Sequence, residues 1–130
     1  MTLVDANTII HYLKGRKPVV SHWQAASPRE LAIPSVAAYE ILYGIHKGGS
    51  SRRQSLGSDL LADLEQIPFD REAARESARI RVELEGRGLI IGPMDLLIAG
   101  TALSRGAILV TNNTKEFSRI KGLQLLDWTK

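Results

Sequence analysis

Met1-Thr2-Leu3-Val4-Asp5-Ala6-Asn7-Thr8-Ile9-Ile10 opens the chain and sets how the rest is read. Met1 to Asp5 has the character of a short buried strand that ends at an acid. Asn7 or Thr8 supplies a side-chain oxygen to cap a helix carrying Ile9, Ile10 and Leu13, and Gly15 stops it. The same alternation continues along the chain. A short helix covers Val19 to Ala26. Leu31-Ala32-Ile33 is a second strand, closed by Pro34, with Ser35 as the cap of a helix to about His46. Gly48-Gly49 breaks the chain. Ser50 or Ser51 caps the next helix, to about Glu65, and Ile67-Pro68-Phe69 is a brief extended piece.

Asp70 then caps a helix whose Ala73, Ala74, Ser77, Ile80 and Leu84 share one face. Gly86 and Gly88 end it. Pro93 stands at the first position of a helix reaching about Arg105. Ala107 to Thr111 is a clear strand, Asn112 to Phe117 a short helical turn, and Leu123 to Leu126 an edge strand. Short apolar strands alternating with helices predict an α/β fold with a mostly parallel sheet flanked by helices. No internal repeat or linker divides residues 1–130, so the reading is one domain.

Composition narrows the chemistry. Hydrophobic residues make up 44% and charged residues 24%, an ordinary globular balance. With aromatics at 5%, the core is expected to be aliphatic. No apolar stretch approaches the length of a bilayer span, and the start lacks a signal-peptide pattern, so a cytoplasmic chain is expected. The absence of cysteine excludes disulfides, thiolate zinc sites and cysteine nucleophiles. His11, His22 and His46 have no metal-binding spacing. No Walker loop, G-x-G-x-x-G or G-x-S-x-G occurs. The net charge of +3 is spread over clusters such as Lys14/Arg16/Lys17, Arg52/Arg53 and Arg71/Arg75/Arg79/Arg81. Its plain reading is a solvated helical surface. A basic surface around an acidic pocket would instead hold a phosphate backbone.

Three acids stand in apolar company: Asp5 after Leu3-Val4, Glu40 within Val36 to Leu42, and Asp95 within Met94 to Ala99. Each has an ordinary explanation as a helix cap, a dipole partner or a solvated face. Together, with no thiolate available, they point to a hard divalent metal held by oxygen. Glu65, Glu72, Glu76, Glu83 and Glu85 lie in strongly charged segments and are weaker candidates. Ligand sites in parallel α/β sheets form beyond the carboxyl ends of the strands. Asp5 and Thr111 to Asn113 lie at two such ends, and they share a crevice if the strands are neighbours.

Leu3 to Ile10 resembles the first motif of PIN-domain ribonucleases, and Ser35 to Gly44, with its acid inside a helix and its Tyr-Gly ending, resembles the second. Ile91 to Ala99 resembles the third, and Leu109 to Phe117 the fourth. The order and spacing match over essentially the whole chain, and the nearest likeness is to the VapC toxins of bacterial type II toxin–antitoxin modules. The resemblance implies a three-layer α/β/α sandwich and an endoribonuclease dependent on Mg²⁺ or Mn²⁺. It implies Asp5, Glu40 and Asp95 as catalytic, metal-binding acids, with Thr111 and Asn112 orienting them. Asn113 stands where many members carry aspartate, which leaves one metal held firmly and a second dependent on Glu116 or on RNA.

The resemblance further implies a homodimer, a VapB-type antitoxin that blocks the site, and tRNA as substrate. The helix around Glu40 is apolar almost all round, which fits cover by a partner. Three other readings stand beside this one. They are a PIN nuclease that processes ribosomal RNA, a catalytically silent PIN binding module, and a phospho-receiver. The last lacks the paired acids expected after the first strand.

Overall fold

A computed structural model describes residues 1–130. Its centre is a five-stranded sheet of order β3-β2-β1-β4-β5, with every neighbouring pair parallel. The strands are β1 (Thr2–Val4), β2 (Leu31–Pro34), β3 (Glu65–Ile67), β4 (Ile108–Val110) and β5 (Gln124–Leu126). Around them lie α1 (Ala6–Leu13), α2 (Lys17–Ala25), α3 (Ser35–Lys47), α4 (Ser51–Asp63), α5 (Arg71–Gly86), α6 (Pro93–Ser104) and α7 (Thr114–Phe117). A single turn of 3-10 helix at Pro28–Glu30 precedes β2. Leu3, Val4, Ile33, Leu109 and Val110 are fully buried, as expected for strands covered on both faces. The core is aliphatic, and only Phe117 and Trp128 among the aromatics are buried.

The first strand sits in the middle, and the chain winds outward from it to β3 before returning to β4 and β5. The winding direction therefore reverses between β1 and β4, where a crevice opens at the carboxyl ends. Val4 pairs with Val110, and the Asp5 N–H continues the ladder to the Val110 carbonyl at 3.1 Å. The two strand ends that carry Asp5 and Thr111 are thus immediate neighbours.

Several local expectations are corrected. The cap of α1 is Asp5, not Asn7 or Thr8, because the helix begins directly after the strand. Pro34 occupies the cap of α3, and Ser35 is already its first residue. Pro34 lies past the end of the β1–β2 pairing, so its missing N–H costs that ladder nothing. The α4 helix stops at Asp63, and Glu65 to Ile67 pairs with β2 as a strand that Pro68 ends.

Helix α5 buries Ala73, Ser77, Ile80 and Leu84, as its periodicity predicts, but Ala74, expected on the same face, is exposed because it stands one position off the i, i+4, i+7 stripe. Its other face is laced by Arg75–Glu72, Arg79–Glu76, Arg79–Glu83 and Arg81–Glu85 pairs. These exposed pairs account for most of the basic cluster there, and each adds little stability. Helix α6 nests closely on α5 at Gly100, where an added Cβ would lie 2.9 Å from the Ala73 carbonyl oxygen. At the chain end, Trp128 meets Trp23 edge-on, and Trp23 stacks on Tyr12 with centroids 4.3 Å apart. No helix is long and apolar enough to cross a membrane.

Candidate active site

Asp5 does two jobs. Its Oδ1 accepts the Thr8 N–H at 2.9 Å, which caps α1 and fixes the carboxylate at the strand end. No protein donor takes its other oxygen, although the residue is only 6% exposed. Asp95 sits in the first turn of α6, after Gly92 as cap and Pro93 as first helical residue. Glu40 lies mid-way along α3, beside buried Ala37 and Ile41 and half-buried itself.

The loop after β4 adds a further acid. Thr111 is fully buried, its N–H bonds the Leu126 carbonyl at 2.9 Å, and its hydroxyl accepts the Asn113 N–H at 3.1 Å. That bond sets the turn from which the Asn113 amide projects. The amide nitrogen is the only donor in that side chain, and it faces two carboxylates. It donates to Glu116 Oε2 at 2.9 Å and reaches Asp95 Oδ2 at 3.4 Å. Asn113 is therefore a neutral spacer between two acids, and Glu116 is held in the site as a fourth carboxylate. Asn112 is exposed and hydrogen-bonds none of them.

The electrostatics show that these groups feel one another. Burial raises the Glu40 carboxyl above its ordinary value, and repulsion from Asp95 and Asp5 adds to the rise. Burial likewise raises Asp95, with repulsion from Asp5 and Glu116 behind it, and the Asn113 hydrogen bond only partly opposes this. The salt bridges of the molecule all lie elsewhere, and none touches Asp5, Glu40, Asp95 or Glu116. The acids approach without converging, and no three of them form a ready-made metal cage. Like charges held together without a countercharge are costly, so such a site calls for a cation from outside. Oxygen-only donors fit a hard divalent ion, one that keeps several waters and needs few protein ligands.

Three of these acids carry a plain sequence signal in their apolar surroundings. Glu116 does not, since it sits in a short polar segment, and only the fourth-motif resemblance offers it as an auxiliary ligand. What marks it is its place three residues after Asn113, visible as a contact only once the loop is folded.

The PIN domain family model matches residues 2–123, a span that contains all four acids. The tRNA(fMet)-specific endonuclease VapC of Salmonella typhimurium is 34% identical over 127 residues, 97% of this chain and 96% of that protein. Ribonuclease VapC2 of Rickettsia felis is 42% identical over 106 residues, 81% of this chain and 79% of that protein. Among solved structures, a chain of DNA-bound VapBC from Salmonella typhimurium aligns with a TM-score of 0.90 at 33% identity, over 98% of this chain and 97% of that one. The chain belongs to the PIN-domain family and, within it, to the VapC toxin ribonucleases.

Proposed function

We propose that this chain hydrolyses RNA phosphodiesters at Asp5, Glu40, Asp95 and Glu116 with Mg²⁺ or Mn²⁺, that its substrate is tRNA, and that a VapB-type antitoxin silences it. The observation that carries the reading is the gathering of these acids at the β1–β4 switch point with no protein countercharge. Asp5, Asp95, Glu40 and Glu116 would hold a divalent ion there, which would supply Lewis acidity to a water and to a phosphoryl oxygen.

The protein's own part is positioning. The Thr8 N–H holds Asp5 at the strand end. The Asn113 amide bridges Asp95 and Glu116, and so holds the two like charges at one crevice despite their repulsion. Glu40, its carboxyl raised above its ordinary value by burial and by Asp95 and Asp5, is suited to take a proton from an attacking water. Attack by water leaves a 5′-phosphate and a 3′-hydroxyl.

tRNA as substrate is supported by the relative named as a tRNA(fMet)-specific endonuclease. An antitoxin partner is supported by the VapBC complexes among the structural neighbours and by the surface of α3, where Tyr39 and Tyr43 are more than half exposed. The test is cleavage of total tRNA by the purified chain, with Asp5→Asn and Asp95→Asn as controls and the new ends mapped. Loss of cutting in both, with 5′-phosphate ends in the wild type, is expected. Products ending in 2′,3′-cyclic phosphate, or full activity in either variant, would overturn the reading.

A further inference from the structure

A groove of about 190 Å³ opens beside Glu40, between α1, α3 and α4. Lys14 from the end of α1, Glu40 and Gly44 from α3, and Arg53, Gln54 and Gly57 from α4 contribute to its lining. Its α3–α4 wall is firmly built. Gln54 Nε2 donates to the Ile45 carbonyl at 3.0 Å. Gly57 lets the helices close until a Cβ there would stand 3.1 Å from Ile45 Cδ1.

Gly44 has no such packing reason. Its backbone is not among the left-handed glycines, and a Cβ would meet nothing within 4 Å. Glycine inside a helix weakens it relative to alanine. Neither conformation nor packing of this chain calls for glycine at 44. It stands one helical turn beyond Glu40, on the same face. Gly48 and Gly49 continue the open space past the helix end. The groove floor therefore has a strip free of side chains, at Gly44, Gly48 and Gly49, that leads away from Glu40 beside the apolar Ile10, Leu13, Ile41 and Ile45.

Lys14 and Arg53 border that floor, are exposed, and pair with no acid, unlike the arginines of α5. The charges that act on Glu40 are both acidic, so these two cations flank the acid site without neutralising it. An arrangement with acids at one end and unpaired cations along the other suits a polyanion that spans both.

Resting on the nuclease reading above, we propose that this groove seats the RNA strand next to the scissile phosphate. Lys14 and Arg53 each hold one flanking phosphate, and Gly44 keeps the floor clear for the nucleotide. The cations position the strand, and Gly44 sets how large a group passes.

The test reads binding of a fluorescein-labelled single-stranded oligoribonucleotide by anisotropy, at fixed divalent metal, in an Asp95→Asn background that leaves the probe whole. The slope of log K against log salt should fall by about 0.7 for Lys14→Ala and again for Arg53→Ala, the loss of one phosphate contact each. Lys121→Ala, at the amino end of β5 and so away from the crevice, should leave the slope unchanged. Gly44→Leu should weaken binding by about tenfold by filling the nucleotide's space, with the slope kept and the melting temperature not lowered. An unchanged slope in the Lys14→Ala/Arg53→Ala double variant, or full RNA affinity in Gly44→Leu, overturns the proposal. It also falls if Gly44→Leu keeps RNA binding and loses only inhibition by a co-expressed antitoxin, which would make the groove a protein seat. A chain with the predicted slopes that cuts no RNA leaves the groove standing and removes the nuclease reading. Cleavage that Asp95→Asn abolishes and the groove variants leave untouched does the reverse.

Discussion

Replacing Asn113 with aspartate removes the one side-chain donor among the acids and adds a charge in nearly the same shape. The Asn113 bond to Glu116 Oε2, at 2.9 Å, has full strength, and the bond to Asp95 Oδ2, at 3.4 Å, is close to the limit. A hydrogen bond to a charged group contributes roughly 1.5–3 kcal/mol. Asn113 and Glu116 are partly exposed, which places the first bond at the lower end of that range and leaves little for the second. New repulsion against Asp95 and Glu116 adds a fraction of that, so metal-free Asn113→Asp should be destabilised by about 2 kcal/mol at neutral pH. For a chain of this size that is a drop in melting temperature of about 6–10 °C. The assay is thermal unfolding in EDTA, then with saturating Mg²⁺ or Mn²⁺, then at falling pH without metal. The added carboxylate should tighten metal binding, and each tenfold gain returns about 1.4 kcal/mol at saturation. The deficit should therefore shrink with metal and shrink again as the carboxyls protonate. A variant that melts with the wild type in EDTA, or a gap that metal widens, would refute the role given to Asn113.

Three other outcomes follow from the same geometry. Because Glu40 and Asp95 titrate above their ordinary values of 4.5 and 3.8, the folded state binds more protons than the unfolded chain over that window. Metal-free stability should then rise as pH falls from neutral into the mildly acidic range. Asp70 acts in the opposite sense: the Ala73 N–H and then Arg105 hold it below 3.8, and its support is lost as pH falls beneath that value. Urea midpoints that decline steadily from neutral pH downward would contradict the first half. Gly100→Ala should cost about 1–3 kcal/mol by overpacking against the Ser77 side chain, the nearest group to an added Cβ, and the Ala73 carbonyl, less about 1 kcal/mol of helix propensity, and added Ser77→Gly should recover part of it. An unchanged urea midpoint would show that α5 and α6 have slack. Asp5→Asn keeps the cap acceptor and should lose RNA cleavage with its stability nearly intact, whereas Asp5→Ala should lose both, with about 1 kcal/mol from the cap. Equal stability of the two would argue against the cap.

Much of the fold was legible because its signals are local. Apolar runs, glycine stops and the Gly92-Pro93 start place nearly every element from a few adjacent residues. The errors fell at junctions. Asp5 serves as strand end and helix cap at once, so a reading that separates the two moves the cap to Asn7 or Thr8. The second half of β3 is recognisable in Ile67 alone, while Glu65 and Gln66 become a strand only by pairing with Ile33 and its neighbours.

By itself, the sequence determined the kinds of chemistry available: oxygen ligands without thiolates, three acids in apolar settings, and four motifs in PIN order. The tertiary structure decided how those groups act on one another. It set β4 beside β1, so that Asp5 and Thr111 share an edge. It placed Asn113 between Asp95 and Glu116, which turns a residue the resemblance offered only as an auxiliary ligand into a hydrogen-bonded member of the site. It also brought Lys14, Gly44 and Arg53 to one groove, although they belong to separate stretches of the chain. The division has a physical cause. Helix periodicity, capping and turn preference act between near neighbours along the chain, whereas desolvation, charge repulsion and open space are properties of distance, and distance exists only after folding.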